Sequence, residues 1–316
     1  MNLKNTIFIL VIVVFLLQIM LLKQDSKIDS NEQLKPSKPS IALSTFPLYD
    51  IAKNIAKYKL DTYMILPVGV DIHAYEPNPK EMVKLHNSSL VVYSGASLEP
   101  WISKLNLKNK TIDMSKYVDL LELDSPLEDE HEHHGESCSH GLKDPHYWLS
   151  ISNMKKSTKQ ITDAMIELDN TNKEFYLENQ KQYLSMLDAL DNLYKTTLSR
   201  CKNREIVTNH NAFSYLGHNY DFNILSLSNL SPDASVNAKN MIKLIEHVKE
   251  HNISTVFYEN FAASNSIDSI AKESNIKIDS LQPLANITSD EQEKKVSYED
   301  IMKENLYKLS NAMECQ

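Results

Sequence analysis

Apolar and polar positions alternate in short blocks along most of this chain, and the blocks follow a regular order. Ile41–Thr45, Thr62–Pro67, Leu90–Tyr93 and the short Thr111–Asp113 are apolar runs bounded by turn residues, which predicts strands. Between them, Tyr49–Tyr58 and Pro79–Asn87 carry helical spacing, the second with proline at its start, where a missing N–H costs nothing. Asp124–Asp144 breaks the pattern: it is acidic and histidine-rich, has no period, and reads as a loop. Two helices are then expected across Ser152–Leu198, the second from about Asn172 to Arg200. In that helix Leu177, Tyr183, Leu184, Leu187, Leu190 and Tyr194 keep an apolar stripe. At the standard rise, about 28 residues span about 42 Å, long enough to act as a strut between two lobes. The alternation then resumes. Strands are expected at Glu205–Thr208, Ile224–Ser226, Thr255–Tyr258 and Lys277–Leu281, and helices at Ala212–Asn219, Ala238–Glu250, Ser264–Ser274 and Ser297–Met313.

Strands alternating with helices predict an α/β fold with mainly parallel sheets flanked by helices. The layout is two such lobes, residues 41–168 and 202–316, joined by one long rigid helix over residues 169–201, with a His-rich loop at 128–143. Ile7–Leu22 is apolar on all faces and follows Lys4, so residues 1–24 read as an export signal or an uncleaved signal-anchor. Residues 25–40 are polar, contain Pro36 and Pro39, and read as a linker. Both readings of the N-terminus place the remainder outside the cytoplasmic membrane.

Composition narrows the function. The formal net charge is −9, from 33 basic and 42 acidic residues, so no strongly basic surface is available for nucleic acid. The five glycines, Gly69, Gly95, Gly135, Gly141 and Gly217, are too scattered for a phosphate-cradling loop. Three cysteines cannot all pair within one chain. Cys201 with Cys315 is one pairing that spacing alone leaves open, and Cys138 sits among histidines.

Three of the eleven histidines stand where an α/β fold places ligand-binding residues, beyond the carboxyl ends of strands. His73 follows the second strand in Pro67-Val-Gly-Val-Asp-Ile-His-Ala-Tyr-Glu-Pro77. His210 follows a strand of the second half in Ile206-Val-Thr-Asn-His-Asn-Ala-Phe213. His146 lies in Asp144-Pro-His-Tyr-Trp-Leu149. There Asp144 can accept from the ring nitrogen turned away from a metal, and Tyr147–Leu149 can wall the site off from water. Imidazole suits zinc, copper, iron or nickel, and three protein ligands leave one coordination position open. The run Glu130-His-Glu-His-His-Gly-Glu-Ser-Cys-Ser-His140 suggests loose auxiliary capture by His131, His133, His134, His140 and Cys138. Glu259 ends a strand and is a candidate carboxylate ligand or a support for one. His86, His218, His247 and His251 lie on helical segments without partners and read as surface or packing residues.

The segments Thr45-Phe-Pro-Leu-Tyr-Asp-Ile-Ala52, Pro67–Pro77, Leu98-Glu-Pro-Trp101, Asp144-Pro-His-Tyr-Trp148, Thr208–Leu216 and Leu230-Ser-Pro232 together resemble the zinc/manganese solute-binding proteins of metal ABC importers. The resemblance runs from about Ser40 to Met313. It implies two α/β lobes bridged by a long helix, no enzymatic activity, and metal ligands at His73, His146 and His210. Histidine at the third position goes with zinc in that family and glutamate with manganese, so the resemblance favours zinc. It also implies a membrane permease and an ATPase as partners, with the chain acting as a monomer, tethered to the membrane or free outside it. Many relatives supply an acidic fourth ligand after the last strand, but here Ala285 and Asn286 stand in that stretch. Water, His140, Cys138 or Glu259 is then left for the fourth position. Two alternatives carry different expectations: an extracellular zinc hydrolase, with Glu259 as base but no His-Glu-x-x-His helix, and a surface adhesin of the same family.

Overall fold

A computed structural model of the protein describes residues 38–107, 110–122, 143–228, 246–251, 253–259 and 277–316, together with Gln18. The side chains of His210 and Glu259 lie outside that description. The expected export segment, the His-rich loop with His131, His133, His134, His140 and Cys138, and the expected helix Ser264–Ser274 fall outside the described residues. Among the described residues, no helix is long and apolar enough to cross a membrane. The unit Pro39–Gln316 carries the fold.

The central strands of its first sheet are short apolar runs, as parallel strands buried on both faces must be. β1 (Ser40–Leu43), β2 (Asp61–Met64), β3 (Leu90–Tyr93) and β4 (Lys110–Asp113) form one sheet in the order β2-β1-β3-β4. β5 (Glu205–His210), β6 (Asn223–Ser228), β7 (Thr255–Glu259) and β8 (Lys277–Leu281) form the other in the order β6-β5-β7-β8. Every pairing is parallel. The two orders are the same pattern applied twice, so the halves share topology without an evident sequence repeat. β5 runs two residues beyond its expected end because the ladder continues to the pair His210–Ser228.

Helix α1 (Phe46–Ala56) carries Pro47 in its first turn and buries Leu48, Ile51, Ala52 and Ile55. α2 (Pro79–His86) opens with a reciprocal cap between Asn78 and Glu81. α3 (Ile151–Leu168) and α4 (Lys173–Leu198) are separated by a single 3-10 turn at Asn170–Asn172. The long α4 has 26 residues, about 39 Å at the standard rise. Its buried stripe is Tyr176, Asn179, Tyr183, Leu187, Leu190, Tyr194 and Leu198. Leu177 and Leu184, expected in that stripe, are only half-buried. The face is turned because polar groups on it find partners. Asn179 Nδ2 donates to the Ile55 carbonyl at 3.0 Å, and Tyr183 Oη donates to Asp50 Oδ2 at 2.7 Å. Burial pushes the Asp50 carboxyl above its ordinary range, and the Tyr183 bond works against that rise.

The second half adds α5 (Ser214–Tyr220), α6 (Ser289–Glu293) and α7 (Tyr298–Ala312). Tyr194 Oη on α4 donates to the Met302 carbonyl on α7 at 2.7 Å, so the strut is bonded to both halves. A disulfide joins Cys201 to Cys315, tying the entry of the second half to its exit. A single apolar cluster runs from Ile41 through Tyr147, Trp148 and the α4 stripe to Leu309. The two sheets therefore share one continuous core.

Candidate metal centre

The loops that leave the carboxyl ends of the two sheets are bonded to each other. Gly69 N–H, in the loop after β2, donates to the Ile287 carbonyl in the loop after β8 at 3.0 Å. Gly69 has φ +79, so the turn itself requires glycine. Asn286 Nδ2 donates to the Pro67 carbonyl at 2.7 Å and the Val70 carbonyl at 2.8 Å. Phe46 N–H, at the start of α1, donates to the Ala285 carbonyl at 3.0 Å. Trp148 Nε1 donates to the Pro283 carbonyl at 2.7 Å. The stretch 283–287 is thus a strap that holds the His73 loop, the α1 entry and the His146 segment against the second sheet.

His73 lies in the 3-10 turn Ile72–Ala74, which Asp71 caps by accepting from the His73 N–H at 3.0 Å. It is half-buried. His146 is buried and precedes the 3-10 turn Tyr147–Leu149, whose three side chains are fully buried. Those residues provide the dry wall the sequence suggests. Asp144 is fully buried as well. Its Oδ1 accepts from the His146 N–H at 2.9 Å and lies 2.8 Å from His146 Nδ1. A carboxylate can only accept, so Nδ1 carries the proton in a neutral ring and Nε2 is the unprotonated nitrogen. From the second half, Tyr215 Oη donates to the Asp144 carbonyl at 2.9 Å. Asn219 Nδ2 donates to Ser150 Oγ at 2.9 Å. The His146 segment is therefore clamped on two sides.

The rings of His73 and His146 come together, with centroids 5.5 Å apart and planes at 54°. A zinc–nitrogen bond of about 2.0–2.1 Å puts a ring centroid roughly 3.2 Å from the ion, so two imidazoles at a tetrahedral angle sit roughly 5.2 Å apart. The observed separation is close to that value. His210 occupies the last position of β5, and Glu259 the last position of β7, where it pairs with Leu281. Both residues stand at the carboxyl edge of the second sheet.

Two features of the site could not be read from the sequence. Asn286 is 1% exposed, both protons of its amide nitrogen are engaged, and Oδ1 accepts from the Ile287 N–H at 2.8 Å. It holds the His73 loop. Glu99 is a buried carboxylate beside the loop after β3. Its two oxygens accept from the Ser94 and Gly95 N–H groups, each at 2.9 Å. Burial raises its carboxyl to about 7, against those bonds, which lower it. The reading of His247 and His251 as partnerless is corrected: both rings contact Glu205, at 2.6 and 3.2 Å. Their four-residue spacing was the available signal, but Glu205 is 42 residues from His247 in the chain.

A family model described as "Zinc-uptake complex component A periplasmic" matches residues 41–312. The chain is 33% identical over 287 residues to the high-affinity zinc uptake system protein ZnuA of Bacillus subtilis, covering 88% of this chain and 89% of that protein. It is 32% identical over 284 residues to the zinc-binding lipoprotein AdcA of Streptococcus pneumoniae serotype 4, covering 89% of this chain and 57% of AdcA. The solved structure of the Zn(II)-bound ZnuA-like domain of Streptococcus pneumoniae AdcA is 29% identical, with a TM-score of 0.73, covering 88% of this chain and 99% of that one.

Proposed function

This chain belongs to the family of periplasmic component A of zinc-uptake complexes, and on that premise we propose that it captures one zinc ion between its two sheets and delivers it to a membrane importer. The ligands are His73, His146 and His210. The observation that carries this reading is the juxtaposition of the His73 and His146 rings, 5.5 Å apart, with His146 Nδ1 held by a buried aspartate. Zinc is the cargo, not a catalyst, and the protein's work is to bind it and then release it.

Each part of the site serves one of those steps. Asp144 fixes the His146 tautomer, so no proton has to be moved before the ion binds. Tyr147, Trp148 and Leu149 exclude water on one side, which strengthens the metal–nitrogen contacts. Asn286 keeps the His73 loop at its distance from the second sheet. The fourth position is left to water, to Glu259 or to a group of the His-rich run, while the amide nitrogen of Asn286 holds the His73 loop. Imidazole binds as the neutral form, so affinity falls on acidification through the histidine range.

The partners are the permease and ATPase of an ABC importer, met outside the cytoplasmic membrane by a chain that is tethered or free. The family description does not favour the hydrolase or adhesin readings. Competition between zinc and a chromophoric chelator, repeated with manganese, tests the proposal. Tight zinc binding at neutral pH with much weaker manganese binding is expected. Binding of manganese in preference to zinc would overturn the choice of metal, and binding of neither would overturn the function.

A further inference from the structure

The opposite end of β5 carries a second constellation of metal-binding groups. Glu205 opens the strand and His210 closes it, and five steps at about 3.3 Å each put roughly 16 Å between them. No single ion can bridge that distance. His247 and His251 are four residues apart, and residues 246–250 are helical, so the two rings share one helix face. The rings stack, with centroids 3.8 Å apart and planes at 24°. Glu205 spans the pair: Oε1 lies 2.6 Å from His247 Nε2, and Oε2 lies 3.2 Å from His251 Nδ1. One ligand atom from each of the three residues falls within 4.8 Å of the others, the one such group found among the described residues.

We propose that Glu205, His247 and His251 form a second, peripheral site for a borderline divalent cation, of which zinc is the relevant one here. Two imidazoles and a carboxylate are a ligand set that zinc accepts, and an ion with bonds of about 2.0–2.2 Å would open the stacked rings from 3.8 Å towards the roughly 5.2 Å of two imidazoles at a tetrahedral angle. Without an ion the two ring nitrogens donate to the Glu205 carboxylate, and an entering cation takes the place of those protons. Among the described residues, the neighbouring cations Lys202 and Arg204 are engaged elsewhere. Lys202 is paired with Glu314 at 2.8 Å, and Arg204 donates to the carbonyls of Leu198, Tyr220 and Asp221. His251 and Glu205 also line a cavity of about 320 Å³ with Asn223 and Ser254, which gives water access to the remaining coordination position. His247 and Glu205 are half-buried while His251 is exposed, so the site exchanges with solvent more readily than the cleft. It stands independently of the ligand assignment in the cleft.

The test labels the full chain with diethylpyrocarbonate, with and without saturating zinc chloride, and reads each histidine by peptide mass spectrometry. Zinc should slow labelling of His247 and His251 several-fold in the unaltered chain and equally in His73→Ala, where the cleft is damaged. Equal labelling with and without zinc overturns the proposal. Equilibrium dialysis of His247→Gln/His251→Gln should show one zinc equivalent fewer than the parent, the His-rich run contributing alike to both. An unchanged stoichiometry in a folded variant also overturns it. If that variant does not fold, labelling of the unaltered chain decides.

Discussion

Replacing Asn286 by aspartate keeps the shape of the side chain and reverses what one of its atoms can do. The position is 1% exposed. The amide nitrogen donates to two carbonyls, of Pro67 and Val70, at 2.7 and 2.8 Å. An ionised carboxylate oxygen in the same place would face two acceptors with no proton to share. Two lost hydrogen bonds cost about 1–3 kcal/mol together, and a buried polar group left unsatisfied adds about 1–3 more. Asn286→Asp should therefore lose about 2–6 kcal/mol of stability at neutral pH. Asn286→Ala, which loses the bonds but introduces no charge, should lose about 2 kcal/mol. Acid adds a signature. A protonated aspartic acid can donate one of the two bonds, so its folded pKa lies above the unfolded one. The stability this contributes is present below the unfolded pKa and is lost as pH rises through the folded value. Asn286→Asp should accordingly recover part of its deficit on acidification, while Asn286→Ala should not share that recovery. Urea unfolding of the zinc-free chain at neutral and acidic pH measures both effects. An Asn286→Asp chain as stable as its parent at neutral pH, with zinc affinity equal or tighter, would refute the reasoning.

Further predictions follow from other residues. Asp144→Asn should weaken zinc binding about 10–100-fold, because the group that fixes the His146 tautomer is lost; chelator competition reads this, and unchanged affinity would contradict it. Glu99 has a folded pKa of about 7 against an ordinary 4.5, raised chiefly by burial. Its contribution is fully present below the ordinary value and is lost as pH rises to about 7, a span of about 3 kcal/mol. Glu99→Gln should therefore flatten the fall in unfolding free energy across that window. Opening the Cys201–Cys315 disulfide, which spans 114 residues, should cost up to about 5 kcal/mol on the loop-entropy argument. A Cys201→Ser/Cys315→Ser chain with an unchanged urea midpoint would contradict that.

Strands and most helices were legible because their signals are local. A parallel strand buried on both faces is an unbroken apolar run between turn residues, and β1, β3 and β7 read that way. His73 and His146 were legible by position, and the expected bond from Asp144 to the His146 ring is present at 2.8 Å. What escaped the sequence depends on partners far along the chain. Asn179 lies on the buried face of α4 because it reaches the Ile55 carbonyl, 124 residues away. Asn286 reads as a missing ligand until its contacts with Pro67 and Val70 are seen, 219 and 216 residues away. The pairing of Cys201 with Cys315 needed the fold to bring the two ends of the second half together. Two histidines four apart are visible in the sequence, but the glutamate that bridges their ring nitrogens is not.

The central claim is that one zinc ion is held between the sheets by histidines from both of them. The direct measurement is a zinc titration of the purified chain at neutral pH beside the variant His73→Ala/His210→Ala, with circular dichroism confirming that both are folded. The account predicts one tight equivalent in the parent that is absent from the variant, with only weaker binding left. Retention of that tight equivalent by a folded variant would contradict it.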